Sequence, residues 1–156
     1  MTDWIALRDL VYKTAVDHGW HDKPRKYSEV VCLFHCELSE AVEELRKGPG
    51  HDYYHGENGK PEGFYVELVD CIIRILDLFG EDEVDPDPDD DFVELKSYDR
   101  LDEIAAIHQS ISMDLLNTAL FEIVALLESE GQDVEALIRE KDEYNKHRPY
   151  KHGRAF

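Results

Sequence analysis

Two pairs of acidic residues have the spacing that a metal site built on helices requires. Glu37 and Glu40 are three residues apart in the sequence, and so are Glu67 and Asp70. Residues at positions i and i+3 share one face of an α-helix, so two helices packed side by side would bring four carboxylates together. Four oxygen ligands without paired histidine or cysteine suit a hard cation, Mg²⁺ or Mn²⁺, and magnesium is often shared with substrate phosphates. The pattern therefore suggests phosphoryl chemistry, with the alternative that such pairs are simply solvated helix surface.

The second pair lies in a very apolar stretch, residues 62–80, which is predicted to be the central helix. At about 100° per residue, apolar side chains cover most of its surface, and the polar ones form a single stripe: Glu67, Asp70, Arg74 and Asp77. A helix that is apolar nearly all round is buried, and buried carboxylates need a partner. Arg74, four residues after Asp70, is expected to pair with it, and Asp77, near the helix end, is expected to be solvated. The other acids need a cation.

The rest of the chain predicts helices that would surround this one. Helical periodicity, capping residues and glycine or proline stops predict helices at residues 4–18, 28–47 and 134–147. Residues 101–129 predict one long helix, or two joined near residues 110–112. No strand pattern, internal repeat or second domain is seen, so we expect one all-α domain spanning residues 1–156, a bundle of about five helices. The acidic, proline-containing stretch at about 81–99 is predicted to be a solvated loop.

The composition bounds the possible partners. The chain of 156 residues has 36 acidic residues against 17 Lys and Arg, a net charge of −19. This charge argues against nucleic acid or an anionic membrane as the partner, whereas small phosphates screened by a metal are compatible with it. No signal peptide or membrane-spanning apolar run is evident, and three cysteines without framework spacing suggest a reducing compartment. We expect a cytoplasmic protein.

Two other metal chemistries fit the sequence less well. Cys32, His35 and Cys36 lie on one predicted helix, but a structural zinc site needs four ligands and no partner pair is evident. A di-iron carboxylate bundle needs Glu-x-x-His on two helices, and this motif does not occur.

The aromatic loop before the central helix, with Tyr53 and Tyr54, would either stack on a base or simply fill the surface.

The last predicted helix carries polar side chains suited to binding a nucleotide. Lys141, Tyr144, Asn145 and Arg148 are three to four residues apart, so they share a face. Lysine and arginine can donate hydrogen bonds to phosphates, and the amide of Asn145 can bond to a sugar or a base. The alternative is a basic helix end that complements the helix dipole.

Three blocks of this sequence, in order, resemble a known family. They are LFHCELSEAVEELRKG, KPEGFYVELVDCIIRILDLFG and KDEYNKHRPYKHG. Together they are similar to the MazG-like all-α nucleoside triphosphate pyrophosphohydrolases, whose ExxE…ExxD signature matches here at Glu37, Glu40, Glu67 and Asp70. The resemblance runs from about residue 20 to residue 153, and the acidic loop is its least matched part.

The resemblance implies a fold, a reaction and a set of residue roles. Family members hold one or more Mg²⁺ ions on the four acids and cleave a nucleoside triphosphate between the α and β phosphates, giving the monophosphate and pyrophosphate. Glu37, Glu40, Glu67 and Asp70 would be metal ligands, with Glu40 also orienting or deprotonating the attacking water. The implied substrate-binding residues are Lys141, Asn145 and Arg148.

Oligomeric state and turnover are further expectations. The central helix is very apolar for a small bundle standing alone, so we expect a homodimer or a higher homo-oligomer. Two alternatives to an enzyme use the same fold: a catalytically silent protein whose acidic loop contacts a partner, or a nucleotide-binding sensor. The joint presence of the four acids and the Lys-Asn-Arg set favours the enzyme. The sequence does not specify the base or the sugar.

Overall fold

Six α-helices account for most of the part of the chain that the computed structural model describes, residues 2–89 and 99–153. In chain order they are α1 (Trp4–Asp17), α2 (Tyr27–Lys47), α3 (Phe64–Glu81), α4 (Arg100–Ser112), α5 (Leu116–Ser129) and α6 (Val134–Lys146). Short 3₁₀ turns occupy Glu57–Gly59 and Tyr150–Gly153. The predicted all-α class is therefore confirmed. No helix in these two described segments has the length and apolarity needed to span a membrane.

Aspartate side chains fix the starts of three helices. The carboxylate of Asp3 accepts a hydrogen bond from the backbone N–H of Ala6, at 3.0 Å, and Asp133 does the same for Ala136. Asp99 accepts from the N–H of Leu101 at 2.8 Å. Each of these bonds satisfies a backbone donor that has no partner within the first turn of a helix.

The start of α3 is capped by backbone instead. The N–H of Phe64 donates to the carbonyl of His51 at 2.9 Å, and the N–H of Tyr65 donates to that of Asp52 at 3.0 Å. The preceding residue, Gly63, has φ +114°, and a Cβ there would lie 2.8 Å from the carbonyl oxygen of Asp52. A residue with a side chain would clash at this position, so α3 begins at Phe64 and not at residue 62.

A small antiparallel sheet precedes α3, and the sequence analysis missed it. Strand β1 is Tyr54–His55 and strand β2 is Pro61–Glu62, with Tyr54 opposite Glu62. Each strand has two residues, too few for the alternation of apolar and polar side chains to be visible in a sequence. The hairpin places Lys60 beside the start of α3.

The stretch at 101–129 consists of two helices. Asp114 has φ +62°, a left-handed conformation, and the N–H of Leu115 bonds back to the carbonyl of Ser110 at 2.9 Å. This turn ends α4 and begins α5, which pack against each other. Of the two predicted possibilities, two joined helices are observed. The break lies at residues 113–115, slightly later in the chain than the predicted 110–112.

Helix α3 is buried on almost every side within a single chain. It packs against α1, α2, α5 and α6. Apolar residues on both sides of its acid stripe are buried, among them Leu68, Val69, Ile72 and Leu76. The predicted central helix is thus confirmed. The apolar surface that leads us to expect a dimer is covered by the chain's own helices.

The first part of the acidic loop is anchored on the bundle. Arg8 of α1 donates to the carbonyl of Val84 at 2.9 Å and pairs with Asp85. The side chain of Asn117 in α5 bonds to both the N–H and the carbonyl of Asp87, at 3.1 and 2.8 Å. Residues 90–98 of the predicted loop lie outside the described residues.

Candidate functional site

Three carboxylates from two helices converge at the interface of α2 and α3. One oxygen each from Glu37 of α2 and from Glu67 and Asp70 of α3 lie within 4.8 Å of one another. Glu37 is only 6% exposed and Glu67 8%, while Asp70 is partly buried. Within residues 2–89 and 99–153 no other group of three or more His, Cys, Asp or Glu side chains meets this distance. We call these three residues the acid cluster.

Glu40, the fourth predicted acid, lies outside the acid cluster. Its side chain is exposed, one turn further along α2 than Glu37. Its negative charge nevertheless helps to raise the pKa of both Glu37 and Glu67, after the larger effects of burial and closer charges. Glu40 therefore faces the solvent at the edge of the cluster, and its metal-binding and catalytic roles stay predictions.

Two cationic side chains pair with the acid cluster. The guanidinium Nε of Arg74 lies 2.5 Å from Oε1 of Glu37, so the predicted pairing of Arg74 with Asp70 is wrong. Asp70 is bonded by Lys141 of α6, whose Nζ lies 2.7 Å from its Oδ2. Lys141 is 3% exposed. Helical spacing along α3 suggested a partner on the same helix, but α2 and α6 lie close enough to supply partners across helix interfaces.

The side-chain carboxyl group of Glu67 has neither a hydrogen bond nor an ion pair to any residue that the structure describes. Burial, followed by the charge of Asp70, raises its pKa to about 8, although Lys141 acts in the opposite direction. Burial also raises the pKa of Glu37 despite its contact with Arg74. The acid cluster thus holds one carboxyl group for which the described protein supplies no direct counter-charge.

Helix α6 carries two of the three predicted substrate residues on the face that contacts the cluster. Lys141 contacts Asp70 directly, and Asn145 lies one turn later on the same face of α6. Asn145 is 9% exposed, and its Oδ1 atom is buried without a hydrogen-bond partner in the described structure. Arg148 lies two residues beyond the end of α6 and is partly buried. Lys141 is therefore more than a basic residue that complements a helix end.

Lys60 is a cationic residue near the site that sequence reasoning overlooked. It directly precedes strand β2 and donates to Glu62 at 2.9 Å. Burial acts to lower its pKa, but the bond to Glu62 and the negative charges of Glu62, Glu67 and Asp70 raise it overall. Its place as the first residue of the second resemblance block was the available signal, but a polar, glycine-rich loop gave no reason to expect it near the acids.

The donor atoms of the acid cluster fit a hard divalent cation. All three are carboxylate oxygens, the ligands that Mg²⁺ and Mn²⁺ prefer. The buried Glu67 carboxyl, with no direct counter-charge among the described residues, is an additional reason for a cation to bind there. Glu37, Glu67 and Asp70 would hold it.

The histidine and cysteine residues of α2 do not form a comparable cluster in the described structure. The Nδ1 atom of His35 lies 2.7 Å from Nδ1 of His108 in α4, and the two rings stack. Cys32 and Cys36 are exposed. His35 is therefore a packed residue at the interface of α2 and α4.

Asp77, predicted to be solvated, is buried in an ionic network. Its Oδ1 lies 2.7 Å from Nε2 of His21, and its Oδ2 lies 2.5 Å from a terminal nitrogen of Arg25. Arg25 also pairs with Glu81 at the end of α3. The prediction for Asp77 is wrong because the connector between α1 and α2 folds back over the last turns of α3. This network is separate from the acid cluster and has no uncompensated acid at its centre.

The aromatic loop is tied to the bundle by hydrogen bonds. The Tyr53 hydroxyl donates to Glu140 of α6 at 2.8 Å, and Nε2 of His55 lies 3.0 Å from the same carboxylate. Tyr54 donates to Glu44 of α2 at 3.4 Å. These contacts fasten the hairpin between α2 and α6, beside the acid cluster.

Glu67 makes the stability of the metal-free protein depend on pH. Its pKa is about 8 when folded and close to 4.5 when unfolded, so the folded state binds the proton more tightly. Between these two values the free energy of unfolding is expected to fall as pH rises, by on the order of a few kcal/mol. Glu67→Gln removes this titration, so the variant should lose much less stability than wild type. Thermal unfolding at pH 5 and pH 8 in the presence of a chelator measures the difference, since both pH values lie near the ends of this range.

The control for this experiment is Glu43→Gln, on the exposed face of α2, where Glu43 pairs with Arg46. It should keep the wild-type pH dependence. Identical pH slopes for Glu67→Gln and wild type would show that Glu67 ionises normally and that the cluster is better solvated than the structure indicates.

Comparison of the chain with protein-family models, with curated proteins and with solved structures found no match. The resemblance to MazG-like pyrophosphohydrolases rests on three sequence blocks. The structure brings acids of the first two blocks together with a lysine of the third.

Proposed function

We propose that this protein is a Mg²⁺-dependent nucleoside triphosphate pyrophosphohydrolase with a MazG-like fold, which cleaves its substrate between the α and β phosphates. One observation carries the proposal: Glu37, Glu67 and Asp70 converge from two helices, and Lys141 of the last helix contacts the same cluster. A hard-cation site with a phosphate-binding cation beside it is what phosphoryl chemistry requires.

Each side chain has a distinct role in this reaction. Glu37, Glu67 and Asp70 would hold a Mg²⁺ ion, which would supply positive charge to neutralise phosphate oxygens and to promote attack by water. Glu40, exposed at the edge of the cluster, orients the attacking water and accepts its proton.

Binding of the nucleotide falls to the hairpin and to α6. Lys141 and Arg148 donate to the phosphates, and Asn145 hydrogen-bonds to the sugar or the base. Lys60, directly before strand β2, adds a positive charge close to Glu67 and Asp70. These cations offset locally a chain charge of −19, which would otherwise repel a triphosphate.

Assembly into a homodimer or a higher homo-oligomer stays a prediction within this proposal. Light scattering coupled to size-exclusion chromatography would measure the mass of the particle. Exposed apolar residues, among them Ile5, Val16 and Met113, are candidates for its contact surface.

The reaction is tested by phosphorus NMR of the purified protein with Mg²⁺ and each common ribo- and deoxynucleoside triphosphate. Monophosphate and pyrophosphate are the expected products, and the ranking of rates would identify the preferred base and sugar. A reaction run in ¹⁸O-labelled water should place the label on the monophosphate or the pyrophosphate and so identify the phosphorus that is attacked.

Two outcomes would count against the proposal. Diphosphate and orthophosphate as products would place the cleavage at the other anhydride bond. No product from any nucleotide, with a folded protein and bound Mg²⁺, would favour the nucleotide sensor or the silent interaction protein.

A further inference from the structure

Two of the three carboxylates of the acid cluster are paired with cationic side chains of the protein itself. Arg74 pairs with Glu37 and Lys141 pairs with Asp70. The two cations differ in their surroundings. The Arg74 side chain is 36% exposed, whereas that of Lys141 is 4% exposed.

A divalent cation bound at the acid cluster would compete with the Lys141 ammonium group for Asp70. The Oδ2 atom of Asp70 lies 2.7 Å from Nζ, a direct hydrogen-bond distance. A cation that binds Glu67 and Asp70 would lie within a few ångströms of the ammonium group, and two positive charges at that separation repel each other. The cation therefore weakens the bond between Lys141 and Asp70.

Burial means that Lys141 needs another anionic partner when it loses Asp70. A charged lysine enclosed by protein is costly without one. The Oδ1 atom of Asn145, buried and without a hydrogen-bond partner in the described structure, is an acceptor on the same face of α6. It is neutral, so it can accept one of the three ammonium hydrogens but cannot balance the charge. A phosphate oxygen can.

We propose that Lys141 is an exchangeable counter-ion: it neutralises Asp70 in the metal-free protein, and a bound divalent cation displaces it onto the substrate phosphate. This inference rests on the proposed function and adds a rule of binding order to it. The metal and the polyphosphate bind cooperatively. The metal releases Lys141 from Asp70, and the phosphate neutralises the charge of the released lysine. The metal alone binds weakly, since it must displace a buried ion pair. The polyphosphate alone binds weakly, since Lys141 is occupied.

Removal of the ammonium group should shift the two affinities in opposite directions. Lys141→Met is expected to bind Mn²⁺ alone roughly tenfold more tightly than wild type, because one competing positive charge is gone. The same variant should bind the Mn²⁺–pyrophosphate complex at least about tenfold more weakly, because a charged phosphate contact is lost. Electron paramagnetic resonance of free Mn²⁺ measures the first affinity, and isothermal titration calorimetry with the preformed complex measures the second.

Three variants make the experiment decisive. Arg139→Met removes an exposed cation on the same helix, where Arg139 pairs with Glu135, and should leave both affinities unchanged. Glu67→Gln should weaken Mn²⁺ binding. Lys141→Gln, which keeps a polar side chain, serves where the methionine variant fails to fold, as judged by circular dichroism, and should show the same opposite shifts.

The outcomes separate the inference from the proposed function. Absence of Mn²⁺ binding by the wild-type protein would refute both the inference and the proposed function. Wild-type protein that binds Mn²⁺ and cleaves nucleotides, with Mn²⁺ affinity unchanged or weakened in both Lys141 variants, would overturn the exchange and leave the proposed function in place.

Discussion

Replacement of Asp70 by asparagine is expected to lower kcat/KM for the preferred nucleoside triphosphate by roughly a thousandfold, while the helical circular dichroism signal stays unchanged. Loss of one preorganised charged group at a phosphoryl-transfer site has effects of this size. Asp70 should contribute to the reaction in two ways, since it belongs to the acid cluster and also holds Lys141. Steady-state hydrolysis assays over a range of Mg²⁺ concentrations measure the loss, and excess Mg²⁺ should recover little of it.

Glu40→Gln tests a different contribution to the same reaction. Glu40 is exposed and lies outside the acid cluster, so the variant should retain most of its affinity for Mg²⁺. Removal of a general base lowers kcat by about a hundredfold to ten-thousandfold. A fall in kcat with nearly unchanged Mg²⁺ affinity would therefore assign Glu40 to the attacking water, whereas a fall in both would assign it to the metal.

The matched control is Glu43→Gln, three residues beyond Glu40 on α2, where Glu43 pairs with the exposed Arg46. It removes the same charge from the same helix and should leave kcat/KM within a factor of about two, as expected for a surface ion pair. Near-normal activity in both Asp70→Asn and Glu40→Gln would disprove the proposed site. Loss of the helical signal would instead make these acids structural.

Asp77→Ala is expected to destabilise the protein by about 3–5 kcal/mol, since removal of one partner from a buried ion pair leaves the others buried and uncompensated. The side chains of Asp77 and His21 are each 11% exposed. The substitution would remove the shorter ionic contact of His21 and leave its contact of 3.5 Å to Glu81, and Arg25 would keep its pairing with Glu81. Urea unfolding, followed by circular dichroism, measures the midpoint and the slope.

Asp17→Ala is the control for this prediction. Asp17 pairs with Lys13 on the exposed face of α1, and its removal should cost less than about 1 kcal/mol. If Asp77→Ala cost no more than Asp17→Ala, the connector between α1 and α2 would be loosely attached in solution. The double variant Arg25→Ala, Asp77→Ala should be more stable than the sum of the single losses predicts, because neither charge is then left buried alone.

Much of the fold was predictable because its determinants are local. The stops after α1, α2 and α5, the capping aspartates and the apolar periodicity of each helix are set by residues within one or two turns of each other. The spacing of three residues between Glu67 and Asp70 likewise fixes a shared helix face, whatever the rest of the chain does. The hairpin before α3 was not predicted, because two-residue strands are too short to show a periodic pattern.

By itself, the sequence determined that acids, a lysine and an asparagine would be displayed on particular helix faces. Only the tertiary structure decided which of them meet. Arg74 bonds to Glu37 and not to Asp70, Lys141 crosses from α6 to Asp70, and Glu40 stays in solvent. The physical reason is that residue spacing fixes positions around one helix axis, whereas contacts between helices depend on how each helix is rotated and shifted against its neighbours. Those offsets are set by the packing of the whole core around α3.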